Sequence, residues 1–462
     1  MQYREQIRHW IFDHEQEMLQ DLKALIAVRS VMGEAKEHAP FGEAPAKALA
    51  LMLEKCEDYG FLTENTDWYV GSAALGEHAE LGILCHLDVV PEGEGWLHDP
   101  YTLTYDEASG KLIGRGTSDD KGPAVAALYA MRAVKELGIP LKSGVSLIFG
   151  TDEENGSEDL EYYMRKHTLP SMVFTPDGDY PVITLEKGMA RLELSAQFTD
   201  GKSQVISLRA GEVINAVPAL AQAVVKGVSV DEFLASRKSD YPGASIGCFA
   251  DDLGCLHISV DGRNAHASTP EQGINALTCL LALLSRILGE GQQADTVRRL
   301  SELFPFGETT GESCGIAASD AISGGLTLVL SVLRMNEDSM TANTDIRFPV
   351  CCTGEGVVSA MQSALAPIGC RVLMCDEPHH TDENAPFVQT LLRVYEEVTG
   401  DTGKCLAIGG GTYVHHITGG VAFGATFPGV DVHMHGAEEF ILREHLLLDA
   451  EMMALAITEL CG

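Results

Sequence analysis

Apolar residues along this chain come in short dense runs separated by longer-period stretches. Residues 81–85 read Leu-Gly-Ile-Leu-Cys, 145–150 read Val-Ser-Leu-Ile-Phe-Gly, and 172–175 read Met-Val-Phe-Thr. Short apolar runs bounded by turn residues predict buried strands. Elsewhere the spacing widens to three and four: Ile7, Trp10, Ile11, Met18, Leu19, Leu22 and Leu25 predict helix over 3–29. Further helices are expected over 44–59, stopped by Gly60, and over 121–137, closed by Gly138. Alternation around Ser109-Gly110 predicts a hairpin of 101–105 with 111–114. Strands alternating with helices predict an α/β fold on a mostly parallel sheet.

From about residue 188 the texture changes. Strands are expected at 190–196, 205–210 and 256–260, with helices at 218–226 and 270–288. A similar strand, strand, helix, strand succession follows at 326–335, 342–348, 356–366 and 371–375. The pattern marks 188–375 as an inserted second domain with two related halves. It leaves 1–187 and 376–462 as the first domain, completed by a helix at 384–399, a strand at 421–425 and a helix at 443–460. A chain of 462 residues has room for two cores.

Polar residues at the ends of the apolar runs change the picture. His86 and Asp88 close the first run before Pro91, Gly93 and Gly95. Open α/β sheets place ligands beyond the carboxyl ends of their strands. Residues two apart on an extended chain share a face. Asp88 can therefore reach the second nitrogen of His86 and fix its tautomer, as carboxylates do for metal-bound imidazoles. Alone, a His-x-Asp is more often a core histidine beside a cap. However, the second run ends in Thr151-Asp152-Glu153-Glu154, the third in Pro176-Asp177-Gly178-Asp179, and Asp119 stands just before the 121–137 helix. Acids there are costly to bury unless paired or metal-bound. Four predicted strands thus each finish in candidate ligands: His86, Asp119 (through a turn), Glu153 with Glu154, and Asp177. His435, before the last helix, adds another. Their concurrence predicts a hydrolytic metal centre.

Composition narrows the partners. The formal net charge of −35 repels nucleic acid and anionic lipid and raises the local cation concentration. Mean hydropathy is +0.03, and no apolar run is long enough to span a bilayer. The charged, amphipathic first residues lack the apolar centre of a signal peptide, so a soluble cytoplasmic protein is expected. Twelve cysteines without a Cys-x-x-Cys pair read as reduced thiols.

HLDVVPEGEGW (86–96), GRGTSDDKGP (114–123), TDEENGSED (151–159), TPDGDYP (175–181) and MHGAEE (434–439) together resemble a known family. It is that of the cocatalytic zinc peptidases, which include carboxypeptidase G, the aminoacylases, succinyl-diaminopimelate desuccinylase and the dipeptidase V group. The resemblance implies a phosphorylase/hydrolase-like catalytic domain carrying an inserted α+β lid of ferredoxin-like halves. It implies two divalent cations, zinc or manganese, held by His86, Asp119, Glu154, Asp177 and His435, with Asp119 as the bridge. Glu153 matches the general base and Asp88 the supporting carboxylate, and a cis Asp119–Asp120 peptide bond is expected.

GEVINAVP (211–218) resembles a segment carrying a substrate-binding Asn, here Asn215. DGRNAHASTPEQGINA (261–276) carries His266, matching the lid histidine that polarises the scissile carbonyl. TDIRFP (344–349) carries Arg347, matching the arginine that holds the substrate carboxylate. GGGT (409–412) resembles a backbone anion-binding turn, with Gly410, Gly411 and Thr412. An acid near the metals, Asp177 or a neighbour, is expected to meet the substrate amine. YDEASGKLIGRGTSDDKGP, TDEENGSED, GGGTY and the long insert look most like dipeptidase V. That implies a small peptide substrate, a dipeptide with both termini free. An N-acyl amino acid or succinyl-diaminopimelate-type deacylase is the alternative, and a non-catalytic metal- or peptide-binding protein a more remote one. A doubled lid supplies its histidine within one chain, so a monomer is expected. Glu438 departs from the Asn common in close dipeptidases.

Overall fold

Four parallel strands form the centre of the first sheet, in the order Gly144–Gly150, Ala79–His86, Met172–Thr175 and Val421–Ala422. Their side chains are apolar on both faces: Leu81, Ile83, Leu84 and Cys85 are fully buried, as are Val145, Leu147, Ile148 and Phe149. That is the composition of parallel strands covered on both sides. Antiparallel strands extend the sheet at Val70–Leu75 and Leu62–Thr66 on one side and at Val182–Glu186 on the other. The sheet is therefore mixed, and parallel where the candidate ligands emerge.

The computed structural model describes residues 1–237 and 241–462. The chain divides into one unit of Met1–Leu185, His380–Leu406 and Gly411–Gly462, and another of Glu186–His379 with Ala407–Gly410. Within the first unit, helices Lys121–Glu136 and Arg443–Cys461 pack together and are buried over most of their length, which suits their Ala- and Leu-rich sequences. The helix expected over 3–29 is split at His14 into Arg4–Asp13 and Glu15–Ile26. The His14 ring stacks on Trp10 at 3.8 Å. The hairpin is Thr104–Asp106 with Lys111–Ile113, and its second strand also pairs with Phe440–Leu442. This small sheet corrects one expectation. The Asp119 loop leaves it, not the main sheet, and its third strand brings in the segment just after His435. No described helix is long and apolar enough to cross a membrane.

The second unit holds one continuous antiparallel sheet. Its order is Ser245–Ala250, Leu256–Asp261, Leu220–Val225, Val205–Ala210, Thr327–Asn336, Ser339–Phe348, Gly188–Gln197 and Gly369–Asp376. The expected halves join edge to edge where Val205–Ala210 meets Thr327–Asn336. Gly188–Gln197 belongs with the later half, through its full-length pairing with Ser339–Phe348. The helix expected at 218–226 is instead the strand Leu220–Val225. Its Ala-rich sequence favours helix, but Ala221, Ala223 and Val225 are buried while Leu220 and Gln222 are exposed. Pairing on both edges overrides propensity there. The stretch at 270–288 is a short turn, Pro270–Gln272, and then the helix Ala276–Ile287, capped by the Asn275 side chain.

Gly150 ends its strand where no side chain fits: a Cβ there would lie 1.8 Å from Tyr413 Oη and 2.5 Å from Asp159 Oδ2. Gly150→Ala is expected to cost about 1–3 kcal/mol or more, through overpacking. Thermal unfolding of the variant checks this, and an unchanged midpoint contradicts it.

Candidate metal centre

Three of the four parallel strands deliver His86, the Glu153–Glu154 turn and Asp177 to one end of the sheet. His86 is fully buried, and its Nδ1 lies 3.0 Å from the backbone carbonyl oxygen of Asp88. A carbonyl only accepts, so the neutral ring carries its proton there and presents a lone pair at Nε2. The Asp88 carboxylate is 3.5 Å from the same nitrogen. Its closer partners are the backbone N–H groups of Glu153 (3.2 Å) and Glu154 (3.1 Å). Asp88 thus fixes the tautomer through its backbone and uses its carboxylate to hold the turn that presents both glutamates.

Asp119 splits its carboxylate. Oδ1 is 2.9 Å from His86 Nε2, and Oδ2 is 2.8 Å from His435 Nε2. Asp177 Oδ2 is 3.7 Å from His86 Nε2, and Glu154 Oε2 is 3.2 Å from His435 Nε2. His86, Glu153 and Asp177 form one group of ligand atoms within 4.8 Å of one another; Asp119, Glu154 and His435 form a second. The Asp119–Asp120 peptide bond is cis.

Loops outside the sheet hold Asp119 in place. Glu439 is fully buried, and its Oε1 accepts hydrogen bonds from the backbone N–H groups of Gly116 (2.9 Å), Ser118 (3.1 Å) and Asp119 (3.3 Å), and from the Ser118 hydroxyl. Its Oε2 pairs with Arg115 Nη1 at 2.5 Å. Arg115 Nη2 donates to the carbonyls of Glu92 (3.2 Å) and Gly436 (3.1 Å). Asp159 accepts the N–H groups of Thr151 and Asp152 and the Tyr413 hydroxyl. Sequence reasoning gave Arg115, Glu439, Asp159 and Tyr413 no role. The only trace was charge in Gly-rich segments whose burial the sequence does not show.

Glu438 has φ +59°, a conformation that Asn tolerates better than Glu. Its carboxylate accepts the N–H groups of Leu97 (2.8 Å) and His98 (3.0 Å) and meets His98 Nδ1 at 2.7 Å. It ties two loops together without touching a candidate ligand.

In the second unit, Asn215, His266, Arg347 and Gly409 come together. The Ala267 N–H donates to the Asn215 carbonyl (2.8 Å), and the Ala267 carbonyl accepts the Thr327 hydroxyl (3.1 Å). Thr327 lies opposite Arg347 in the sheet. His266 is exposed, with Nδ1 2.6 Å from the Ser268 hydroxyl. Arg347 is nearly buried; it grips Asp345 with two nitrogens (2.6 and 3.0 Å) and donates to the Gly409 carbonyl (2.7 Å). Three of its five N–H groups are thus committed within the unit. Gly411 and Thr412 fall in the first unit, where the Thr412 side chain caps a short turn at Val414.

The electrostatics fit cations. Four carboxylates (Asp119, Asp177, Glu153, Glu154) face two imidazoles. With both rings protonated the set still carries 2 − 4 = −2, whereas two divalent ions balance the four acids with the rings neutral. A His86 lone pair facing a carboxylate at 2.9 Å also requires positive charge between them. Without cations, protons take that place. Burial alone lowers the basicity of His435, but Asp119 and Glu154 outweigh it and raise it to about 11. Burial, with the Asp119 charge, lifts Glu154 from 4.5 to about 7. Glu153 is held well above its ordinary value, chiefly by burial and then by Asp177, Glu154 and Asp119.

Paired His/carboxylate groups at the strand ends of an α/β sheet are the architecture of a hydrolase that works with two metal ions. The chain belongs to peptidase family M20/M25/M40, whose model matches residues 82–459, and is therefore a peptide hydrolase. The resemblance read from the motifs is borne out. The chain is 34% identical over 459 residues to the putative dipeptidase YtjP of Bacillus subtilis, covering 96% of this chain and 97% of that protein. It is 33% identical over 457 residues to the Beta-Ala-Xaa dipeptidase of Lactobacillus delbrueckii subsp. lactis, covering 96% of each. Human carnosine dipeptidase 1 shares the fold, with a TM-score of 0.61 at 16% identity, over 99% of this chain and 98% of that one.

Because Glu154 is raised in the folded, cation-free protein, its contribution to stability is fully present below about pH 4.5 and lost as pH rises towards 7. Cation binding displaces those protons, so it strengthens with pH. The thermal shift on adding zinc or manganese to metal-stripped protein is expected to be larger at about pH 8 than at about pH 5. Equal shifts would contradict this account of the site.

Proposed function

We propose that this chain is a metal-dependent dipeptidase that hydrolyses dipeptides with free amino and carboxyl termini. The observation that carries the reading is the split Asp119 carboxylate, shared between the two His/carboxylate groups with Glu153 beside them. The end-to-end likeness to two relatives named as dipeptidases supports it. His86 and Asp177 would hold one cation and His435 and Glu154 the other, with Asp119 available to both. Two such ions, zinc or manganese, supply an acidified water and a polarised carbonyl when bound.

The side chains do the remainder. Glu153 takes a proton from the attacking water and returns it to the leaving amine. Its carboxylate makes no hydrogen bond among the described residues, which leaves it available for that transfer. His266 donates to the developing oxyanion, a contact typically worth ~3–4 kcal/mol. Asn215, beside it, orients the peptide. Arg347, which donates to the Gly409 carbonyl, offers its uncommitted N–H groups to the substrate carboxylate. Both halves of the second unit come from one chain, which supports a monomer, and we place the enzyme in the cytoplasm.

The decisive assay compares a dipeptide, its N-acetyl form and the matching tripeptide, with the metal-stripped protein reloaded with zinc or with manganese. Cleavage of the free dipeptide alone is expected; preference for the N-acetyl compound would move the chain to the deacylases. In the same assay Glu153→Gln is expected to lose activity by about 100-fold or more while retaining its metal. An active variant overturns the base assignment. Arg347→Lys keeps the charge but loses the two-pronged grip on Asp345. It is expected to raise KM for free dipeptides more than for C-amidated ones, and equal losses contradict the carboxylate role.

A further inference from the structure

Nearly every acid around the metal groups already has a partner. Asp88 holds the Glu153 and Glu154 N–H groups, Asp119 and Asp177 face His86, Glu154 faces His435, and Glu439 gathers the Asp119 loop. Asp120 accepts the His86 N–H, and Asp152 that of Glu158. Two carboxylates stand apart, making no hydrogen bond or ion pair among the described residues. One is Glu153, whose role is proton transfer. The other is Asp179, which is also exposed.

The placement of Asp179 is rigid. The extended pair Gly178–Asp179 runs parallel to Ala425–Thr426, and the Tyr180 N–H donates to the Thr426 carbonyl at 2.8 Å. Tyr180 is fully buried, with its ring against Phe423 (5.1 Å) and Phe427 (4.8 Å). A Cβ on Gly178 would lie 2.9 Å from Ile183 Cδ1 and 3.0 Å from Ala422 Cβ, so the backbone between the two aspartates is closely packed. The chain bends at Asp177, and the backbone of Asp179 lies no more than two residue rises, about 7 Å, from that of Asp177. A scissile carbonyl held at the metal groups has its own residue's amine within that reach.

We propose that Asp179 is the specificity-determining residue for the free amine: its carboxylate pairs with the substrate's N-terminal ammonium. The inference rests on the dipeptidase reading and names the group by which that site rejects N-acylated substrates. An ammonium gives the carboxylate its missing partner. An acylated amine brings no charge, adds bulk, and leaves Asp179 unpaired against the substrate.

The test assays wild type, Asp179→Asn and Asp179→Glu on a dipeptide and its N-acetyl form, with metal content measured for each. Asp179→Asn is expected to lower kcat/KM for the free dipeptide roughly 10–100-fold, the range of a lost charge-assisted hydrogen bond. Any residual N-acetyl rate is expected not to fall, and metal content to stay within about twofold. Asp179→Glu is expected to restore part of the preference, which a purely structural role would not produce. Equal losses on both substrates, or an unchanged ratio between them, overturn the assignment. A wild-type enzyme that prefers the N-acetyl compound overturns the dipeptidase reading itself, and the wild-type arm reports that separately from the variants.

Discussion

The ion pair of Arg115 with Glu439 is the constraint on which the metal centre depends. Both side chains are buried, and between them they bond to three loops distant in sequence. Glu439 collects the N–H groups that shape the approach to Asp119, and it lies four residues after His435. Arg115 reaches the carbonyl of Glu92, in the loop after His86, and that of Gly436, beside His435. Removing one partner of such a pair leaves a buried charge, which commonly costs 3–5 kcal/mol, roughly the scale of the pair's own desolvation. The pair is therefore poor as simple stabilisation and effective as registration. It fixes where the bridging carboxylate stands relative to both histidines.

The same logic explains the surplus of negative charge at the site. Burial and mutual repulsion push Glu153, Glu154 and Asp177 above their ordinary values. Asp119 is driven the other way by the two imidazoles, despite its burial. Opposite shifts within one cluster mark a set of groups arranged to share positive charge. Protons fill that role poorly, because they are bound singly and lost as pH rises. Divalent ions fill it without requiring either ring to be charged.

The two units present their polar clusters on different kinds of element. The first unit builds its donors at parallel strand ends and on a turn before a helix, places where backbone is rigid and side chains converge. The second unit presents Asn215 and His266 on a loop and Arg347 at a strand end, braced by Asp345 and Gly409. Donors that hold ions need fixed distances.

Much of the site was legible in the sequence, because an acid or histidine at the end of an apolar run conflicts with burial and therefore demands a function. His86, Glu153, Glu154 and Asp177 announce themselves in that way. The central strands of the first sheet and the long helices follow from apolar period, and the parallel order of those strands from their alternation with helices. What tertiary structure decided was pairing. The sequence did not show that Lys111–Ile113 and Phe440–Leu442 share a sheet, carrying Asp119 and His435 together across more than 300 residues. It did not show that Gly188–Gln197 joins the later half of the second unit, or that Leu220–Val225 is a strand despite helix-favouring residues. The roles of Arg115 and Glu439 were hidden for the same reason. Local sequence fixes period and chemistry, whereas the partner of a strand edge or a buried charge is set by long-range contacts that no local pattern encodes.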